Sequence, residues 1–494
     1  MYTSQACKFY SLLDQRQKRW SIALISLTVI LSLADALGIA LFFGLVNIVL
    51  GTVNEEWMGE ISVYFGTKDY LFLFLIVGII SIYSLKLVGT LVNVYLTENL
   101  TWSLYSNLSC KMLQHYLSWP YVRHLSTNSN DLVHNIISVM VNITRTGMNQ
   151  WLMLIADFIQ FATIITMLTI INPLVSVSAF VFLGILAAGM IFSGRHYVGK
   201  WGEDIRQANA GTHRAIQESL TVVKEIKLYG REQYFIDNLH ACMKQLTSRS
   251  IKNSLFMQFP RPVLEAIVII VMTVSISYFY LMENSAQEIV GLLVLFGAAA
   301  QRLMPAATRA ISAIHYIRFI EPFLNSIFSD LEVAKRLPPP DFKSVEKLPP
   351  FNKVILKNVS LKYQGAQHKA LSNINLEIKR GQTIGIVGSS GAGKSSLLDV
   401  ILGMLTVDEG TVQVEFDGKS MLPEQAKGLF GYVPQMVTLV DNTIRNNIAL
   451  GLETLDDSHL AHLQEISQMK QFVSNLPENI DTIIGEQGIR LSGN

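Results

Sequence analysis

The chain has 494 residues, a length that outgrows one hydrophobic core and calls for at least two domains. Half of it is hydrophobic, 16% is charged and the formal net charge is +1, which excludes both a wholly soluble protein and a basic nucleic-acid-binding surface. Its three cysteines, Cys7, Cys110 and Cys242, support neither a disulfide framework nor a clustered metal site.

In chain order, Lys8, Arg16, Lys18 and Arg19 precede an apolar stretch from Ile22 to Leu50 whose only charge is Asp35. Those 29 residues exceed the apolar core of a signal peptide, and at about 1.5 Å per residue they are long enough to span a bilayer. The same reading predicts six membrane helices, near 22–50, 71–97, 151–171, 174–193, 263–282 and 289–307. Arg195 to Arg261 holds eleven Lys or Arg, whereas 51–70 is mainly acidic, so both termini and the two long connections are expected on the cytoplasmic side.

Those connections, 98–150 and 194–262, are too long for plain loops and are rich in helix formers. Breakers at Pro120 and Gly230 predict that each runs out as a helix, turns and runs back. Within or beside the spans lie Asp35, Lys86, Asp157, Glu265, Arg302 and Arg309. Ionisable groups at membrane depth are costly and face a bundle interior or a wet cavity. Two readings stay open: Lys86 and Arg302 line a path for an anionic substrate, or the cations close internal ion pairs with acids such as Asp35 and Asp157.

From Asp330 to Phe351 the chain turns polar and proline-rich, as a linker does. The expected division is a membrane domain at 1–330, a linker at 331–352 and a nucleotide-binding domain from 353 to 494. Strand patterns occupy Val354–Tyr363, Ile374–Ile378, Thr383–Val387, Val412–Phe416 and Leu429–Val433. Between the third of these and an apolar helical run at 397–402 stand Gly388, Ser389, Ser390, Gly391, Ala392, Gly393, Lys394, Ser395 and Ser396. Glycines let the backbone turn and bring N–H groups to phosphate oxygens, Lys394 reaches the β- and γ-phosphates, and Ser395 is the hydroxyl suited to Mg²⁺. This is a P-loop in the order strand, loop, helix.

With that loop, the six spans and the long cytoplasmic connections in hand, the chain resembles an ATP-binding cassette exporter half-transporter. The resemblance implies a multi-domain membrane protein of the type I exporter class. An all-α six-helix membrane domain would be followed by an α/β P-loop domain. It also assigns roles. Tyr363 matches the aromatic that stacks on adenine, and Gln435, in Tyr432-Val433-Pro434-Gln435, matches the Q-loop residue that touches Mg²⁺ and the attacking water. Leu439–Ile448 is similar to the segment on which coupling helices rest, and those helices would lie near Pro120–Asn128 and Ile226–Phe235. Leu491, Ser492 and Gly493 open the signature, which serves the nucleotide of a partner cassette.

The family pattern continues past Asn494 to the Walker B acid, the catalytic glutamate and the switch histidine. The expectation is therefore an ATPase and translocase as the intact protein, and no ATP hydrolysis by the 494 residues alone. The implied cofactors are ATP and Mg²⁺. The implied partners are a second half-transporter, as a homodimer, and a membrane lipid or lipid-linked substrate, with no nucleic acid. The stretch from Gln301 to Arg309, with Arg261 before the fifth span, looks like bacterial exporters that flip polyprenyl-diphosphate glycans. Lys86, Arg261, Arg302 and Arg309 would then form the substrate path in a bacterial inner membrane. Peptide, drug or lipid export, or a non-catalytic nucleotide-binding half of a heterodimer, are the alternatives.

Overall fold

A computed structural model describes residues 9–50, 68–171, 173–194, 197–281, 286–336, 348–363, 365–426, 428–435, 437–452, 456–485, 488 and 491. Contacts divide the chain into two units, Met1–Phe342 and Lys343–Asn494.

The first unit is helical. Each expected span falls on a helix: α1 (Gln15–Leu50), α2 (Lys68–Leu117), then α3 (Tyr121–Ser126), α4 (Ser129–His134), α5 (Asn149–Ile171) and α6 (Pro173–Gly194). There follow α7 (Tyr197–Thr221), α8 (Val223–Tyr229), α9 (Glu232–Gln258), α10 (Pro260–Leu281), α11 (Ala286–Phe319) and α12 (Glu321–Arg336). Among the described residues, Gln15–Val46, Tyr70–Leu117, Ser129–Met167 and Glu232–Val274 are long and apolar enough to cross a membrane. Their outward side chains, Ile80, Leu85 and Ile269 among them, stay exposed, as they do when lipid is the solvent. α2 runs unbroken for 50 residues, so a membrane helix continues well beyond the bilayer.

A large core lies in these continuations, where Leu104, Met112, Ile143, Val198, Ile320 and Phe323 pack together. Both predicted reversals occur. Pro120 caps α3, and Gly230 ends α8 in the left-handed region at φ 60°, where glycine carries no Cβ penalty. Between α4 and α5 the chain makes two π-helical stretches, Asn135–Val139 and Asn142–Met148, that the apolar periodicity does not announce. Side chains there donate to backbone carbonyls, Asn142 to Ser138 at 2.9 Å and Thr144 to Met140 at 2.7 Å, which loosens the α-helical ladder.

α12 extends to Arg336, into the stretch expected as linker. It is held there by its apolar face, with Phe323, Leu324 and Ile327 buried, and by a polar latch. The Tyr116 hydroxyl donates to Asp330 at 2.8 Å, Asn135 donates to the Tyr116 hydroxyl at 3.2 Å, and Arg123 lies 3.7 Å from the Asp330 carboxylate. Burial pushes the Asp330 carboxyl above its ordinary range, against the pull of Tyr116 and Arg123.

The second unit holds a four-stranded antiparallel sheet in the order β2-β1-β3-β4, with β1 Lys353–Leu361, β2 Leu371–Lys379, β3 Glu409–Phe416 and β4 Lys419–Met421. Val354, Leu356, Val412 and Val414 fill its buried face. The helix after the phosphate loop is α13 (Lys394–Ile401), and α14 (Ile444–Ala449), α15 (Asp457–Ile466) and α16 (Lys470–Ser474) follow. Two strand expectations need correction. Thr383–Val387 and Leu429–Val433 join no sheet among the described residues, and Val387 and Val433 are 94% and 88% exposed. Their composition suits a buried strand, but a strand exists only with a neighbour to take its N–H and C=O groups, and the described residues supply none.

Candidate functional site

The phosphate loop is shaped by backbone. α13 starts at Lys394, and its cap Gly393 sits at φ 85°, ψ 12°. A Cβ there would lie 2.4 Å from the Ala370 carbonyl oxygen, so the position needs both the left-handed conformation and the missing side chain. Gly391 is left-handed too, at φ 82°, but faces open space. Gly388, Ser389, Ser390, Gly391 and Ala392 are exposed, and the Ala392 amide closes the turn onto the Ser389 carbonyl at 3.2 Å. The loop thus opens at a helix N-terminus, where the first amides have no intrahelical acceptor and the helix dipole adds positive potential.

Lys394 folds back over this turn. Its ammonium donates to the carbonyl oxygens of Gly388 at 2.9 Å and Ser389 at 2.7 Å. Both acceptors are neutral, so the positive charge is positioned without being cancelled. Ser395 is exposed beside it, while Ser396 is 9% exposed and shares a 3.0 Å hydrogen bond with the Tyr363 hydroxyl. That bond sets Tyr363, two residues past β1, against the helix that follows the loop. Among the described residues, an ammonium held by two neutral carbonyls and amides at a helix N-terminus form a donor set that fits the oxygens of a nucleotide triphosphate, and the exposed Ser395 hydroxyl fits its Mg²⁺.

The remaining predicted site residues are less convergent. Gln435 is exposed, and no hydrogen bond joins it to the loop among the described residues. The 439–448 segment is held locally: Asn447 accepts from the Val440 amide at 2.9 Å, and Arg445 pairs with Asp457 at 2.7 Å and Asp481 at 2.8 Å. Leu491 packs against the cluster of Ile444, Val473, Leu476 and Ile484. Ser492 and Gly493 lie outside the described residues, as does the side chain of Arg302.

In the membrane unit each described cation of the expected path faces a carboxylate. Lys86 on α2 pairs with Asp35 on α1, Arg309 on α11 pairs with Asp157 on α5 at 2.6 Å, and Arg261 pairs with Glu265 at 2.9 Å. The Arg309 guanidinium also donates Nε–H to Asp157 at 3.0 Å, a forked geometry that fixes both groups. Asp35 and Asp157 are buried, Lys86 is nearly so, and Arg309 is half-exposed. Gln160, uncharged and so outside the set of ionisable candidates, stands between the two pairs. Its amide donates to Asp35 at 3.4 Å and accepts from Arg309 at 3.5 Å. The available signal was its spacing, one helical turn after Asp157 on the same face.

Comparison with known proteins follows the same division. The family described as ABC transporter transmembrane region matches residues 20–303, and the one described as ABC transporter matches 371–494. An "ATP-dependent lipid A-core flippase" of Saccharophagus degradans is 25% identical over 391 residues, which is 78% of this chain and 65% of the relative. One of the same description from Desulfotalea psychrophila is 23% identical over 372 residues, 74% of this chain and 64% of the relative. The chain therefore spans just under two thirds of the length of these relatives. Among solved structures, a bacterial Atm1-family ABC exporter with ATP bound aligns with a TM-score of 0.75 at 18% identity, covering 97% of this chain and 82% of that chain. At that identity the likeness speaks for the fold alone.

Proposed function

The chain belongs to the ABC transporter family, with a type I exporter fold, and from that premise we propose that it powers transbilayer movement of a lipid or other amphiphile with ATP. The observation that carries the proposal is the phosphate loop, with its uncancelled Lys394 ammonium, on the same chain as a multi-pass apolar helix bundle. The names of the curated relatives, lipid A-core flippases, support a lipidic cargo.

In this reading the loop from Gly388 to Ser396 cradles the phosphates through its amides, and Lys394 exchanges its two carbonyl partners for phosphate oxygens. Ser395 and Gln435 would hold Mg²⁺, and Tyr363 would stack on the base. Leu491, Ser492 and Gly493 serve the nucleotide of a second copy, making a homodimer the working unit. Bound Mg-ATP supplies the hydrolysable phosphoanhydride and its charge. The protein's own work is orientation and charge neutralisation, which dominate phosphoryl transfer. The finer cargo is a lipid-linked molecule with an anionic headgroup, such as a polyprenyl-diphosphate glycan in a bacterial inner membrane. Lys86, Arg261, Arg302 and Arg309 would line its path. Because Lys86 and Arg309 each carry a buried carboxylate partner, such a headgroup must compete with that partner to be bound.

The test is ATP-dependent translocation of a headgroup-labelled lipid by the intact protein in liposomes. Translocation that Lys394→Ala abolishes is the expected result. Equal movement by the wild type and Lys394→Ala would overturn the proposal.

A further inference from the structure

Between α1, α2 and α5 lies a cavity of about 150 Å³, lined by none of the residues assigned a role above. Its apolar wall is Leu24 and Ile25 from α1, Val94 from α2, and Leu152, Met153 and Ala156 from α5. Cavities of this size with such walls take up small apolar guests. Val94 and Met153 are exposed, so the cavity opens at the surface of the unit. Three spans fix its depth. Leu24 and Ile25 stand at the start of the expected span 22–50, Val94 at the end of 71–97, and Leu152 and Met153 at the start of 151–171. Trp20, Trp102 and Trp151 fall at the same level, as an aromatic belt at a membrane boundary does. The cavity therefore sits where the acyl chains of one leaflet meet their headgroups.

Its two ends differ. At the deep end the polar wall is self-satisfied: Asn93 donates to the Thr28 hydroxyl at 3.1 Å, and that hydroxyl donates to the Leu24 carbonyl at 2.8 Å. At the boundary the wall is charged. Glu98 lines the cavity, and Arg145, on the second π-helical stretch, holds its guanidinium 3.6 Å from the Glu98 carboxylate and 4.4 Å from the centre of the Trp102 ring. Both charged side chains are half-exposed, and such a pair is worth so little that a ligand can enter it at small cost. Asn149, one turn after Arg145, also lines the cavity, and among the described residues its side chain makes no hydrogen bond.

We propose that this cavity binds a zwitterionic phospholipid of the ethanolamine type: one acyl chain enters between α1, α2 and α5, the phosphate meets Arg145 and the ammonium meets Glu98. The inference needs only that the unit lies in a bilayer, and it holds whatever the cargo is. Opposite charges this close together match a headgroup that carries both, and the exchange leaves every charge matched. An anionic headgroup without the amine sets its phosphate beside Glu98 and offers that carboxylate nothing in return. A primary ammonium can donate to the Glu98 carboxylate and the Asn149 amide oxygen at once. A quaternary ammonium donates to neither, and the ring that would suit it, Trp102, already carries Arg145 over its face.

The experiment is native mass spectrometry of the full chain, purified in detergent and titrated separately with phosphatidylethanolamine, phosphatidylcholine and phosphatidylglycerol of identical chains. The first phosphatidylethanolamine should bind about 10-fold tighter than either competitor, the worth of one charge-assisted hydrogen bond. Glu98→Gln should bring phosphatidylethanolamine and phosphatidylglycerol to within about twofold of each other, and Arg145→Gln should weaken both. Ala156→Phe fills the cavity and should remove the tight site while leaving the weaker binding of all three lipids as in the wild type. If Ala156→Phe yields no folded protein, the two variants at exposed positions decide alone. Phosphatidylethanolamine bound no tighter than its competitors, a preference that survives Glu98→Gln or Ala156→Phe, or binding that Arg145→Gln leaves unchanged overturns the proposal.

Discussion

Lys394 and Lys86 are the same residue used in opposite ways. Lys394 rests on two backbone carbonyls of a water-exposed loop, whereas Lys86 rests on a buried carboxylate inside a helical bundle. Carbonyl dipoles orient an ammonium without discharging it, so an incoming polyanion can outbid them. A carboxylate of low exposure both orients and neutralises its partner, and a ligand must repay the uncovered charge before it gains anything. The difference separates a cation whose partners are neutral dipoles from one whose charge is already matched in the described arrangement.

The comparison can be broken most sharply at Arg309. Replacing it with Met leaves Asp157, whose side chain is 3% exposed, without its cation, and should cost about 3–5 kcal/mol of stability while leaving nucleotide affinity unchanged. Thermal unfolding with and without ATP measures both, and Arg309→Met combined with Asp157→Leu should recover most of the loss.

A buried group with no counter-charge among the described residues sharpens the contrast through pH. His315 lies past the expected sixth span, is 1% exposed beside Phe256, and burial, assisted by Arg318, pushes its imidazole down to about 4. The unfolded chain takes up that proton near pH 6.5 and the folded one does not, so stability present above pH 6.5 is lost as pH falls toward 4. The expected loss is about 2–3 kcal/mol over that window, and His315→Phe should flatten this part of a Tm-versus-pH curve. Smaller still is the effect of the loop's own geometry. Gly393→Ala meets both a left-handed φ and the Ala370 carbonyl and should cost about 2 kcal/mol, whereas Gly391→Ala meets only the φ and should cost about 1 kcal/mol. Chemical unfolding of the two variants side by side isolates the close approach.

These elements also show what a one-dimensional reading reaches. Membrane helices are legible because hydropathy over a bilayer's length depends on composition alone, and the phosphate loop because its glycines, lysine and serines are spaced along the chain itself. β2 and β3 are legible because their alternation matches an antiparallel sheet with one buried face, whereas β1, between them, buries Val354, Ile355 and Leu356 in succession and is legible from its apolar, β-branched run. Thr383–Val387 was not, since its strand character depends on a partner that local pattern cannot supply. Nor could the sequence choose between a substrate path and internal ion pairs for Lys86 and Arg309. Asp35 is 51 residues from one and Asp157 is 152 residues from the other. The reach of α12 to Arg336 was hidden in the same way, because the Tyr116–Asp330 bond that helps fix it joins residues 214 apart.

The most direct test is equilibrium binding of ATP to three proteins: the wild type, Lys394→Ala and Lys86→Ala. Loss of a charge-assisted contact at the loop predicts affinity weakened about 10- to 100-fold by Lys394→Ala and left unchanged by Lys86→Ala. Equal affinity in the wild type and Lys394→Ala would contradict the account at its centre.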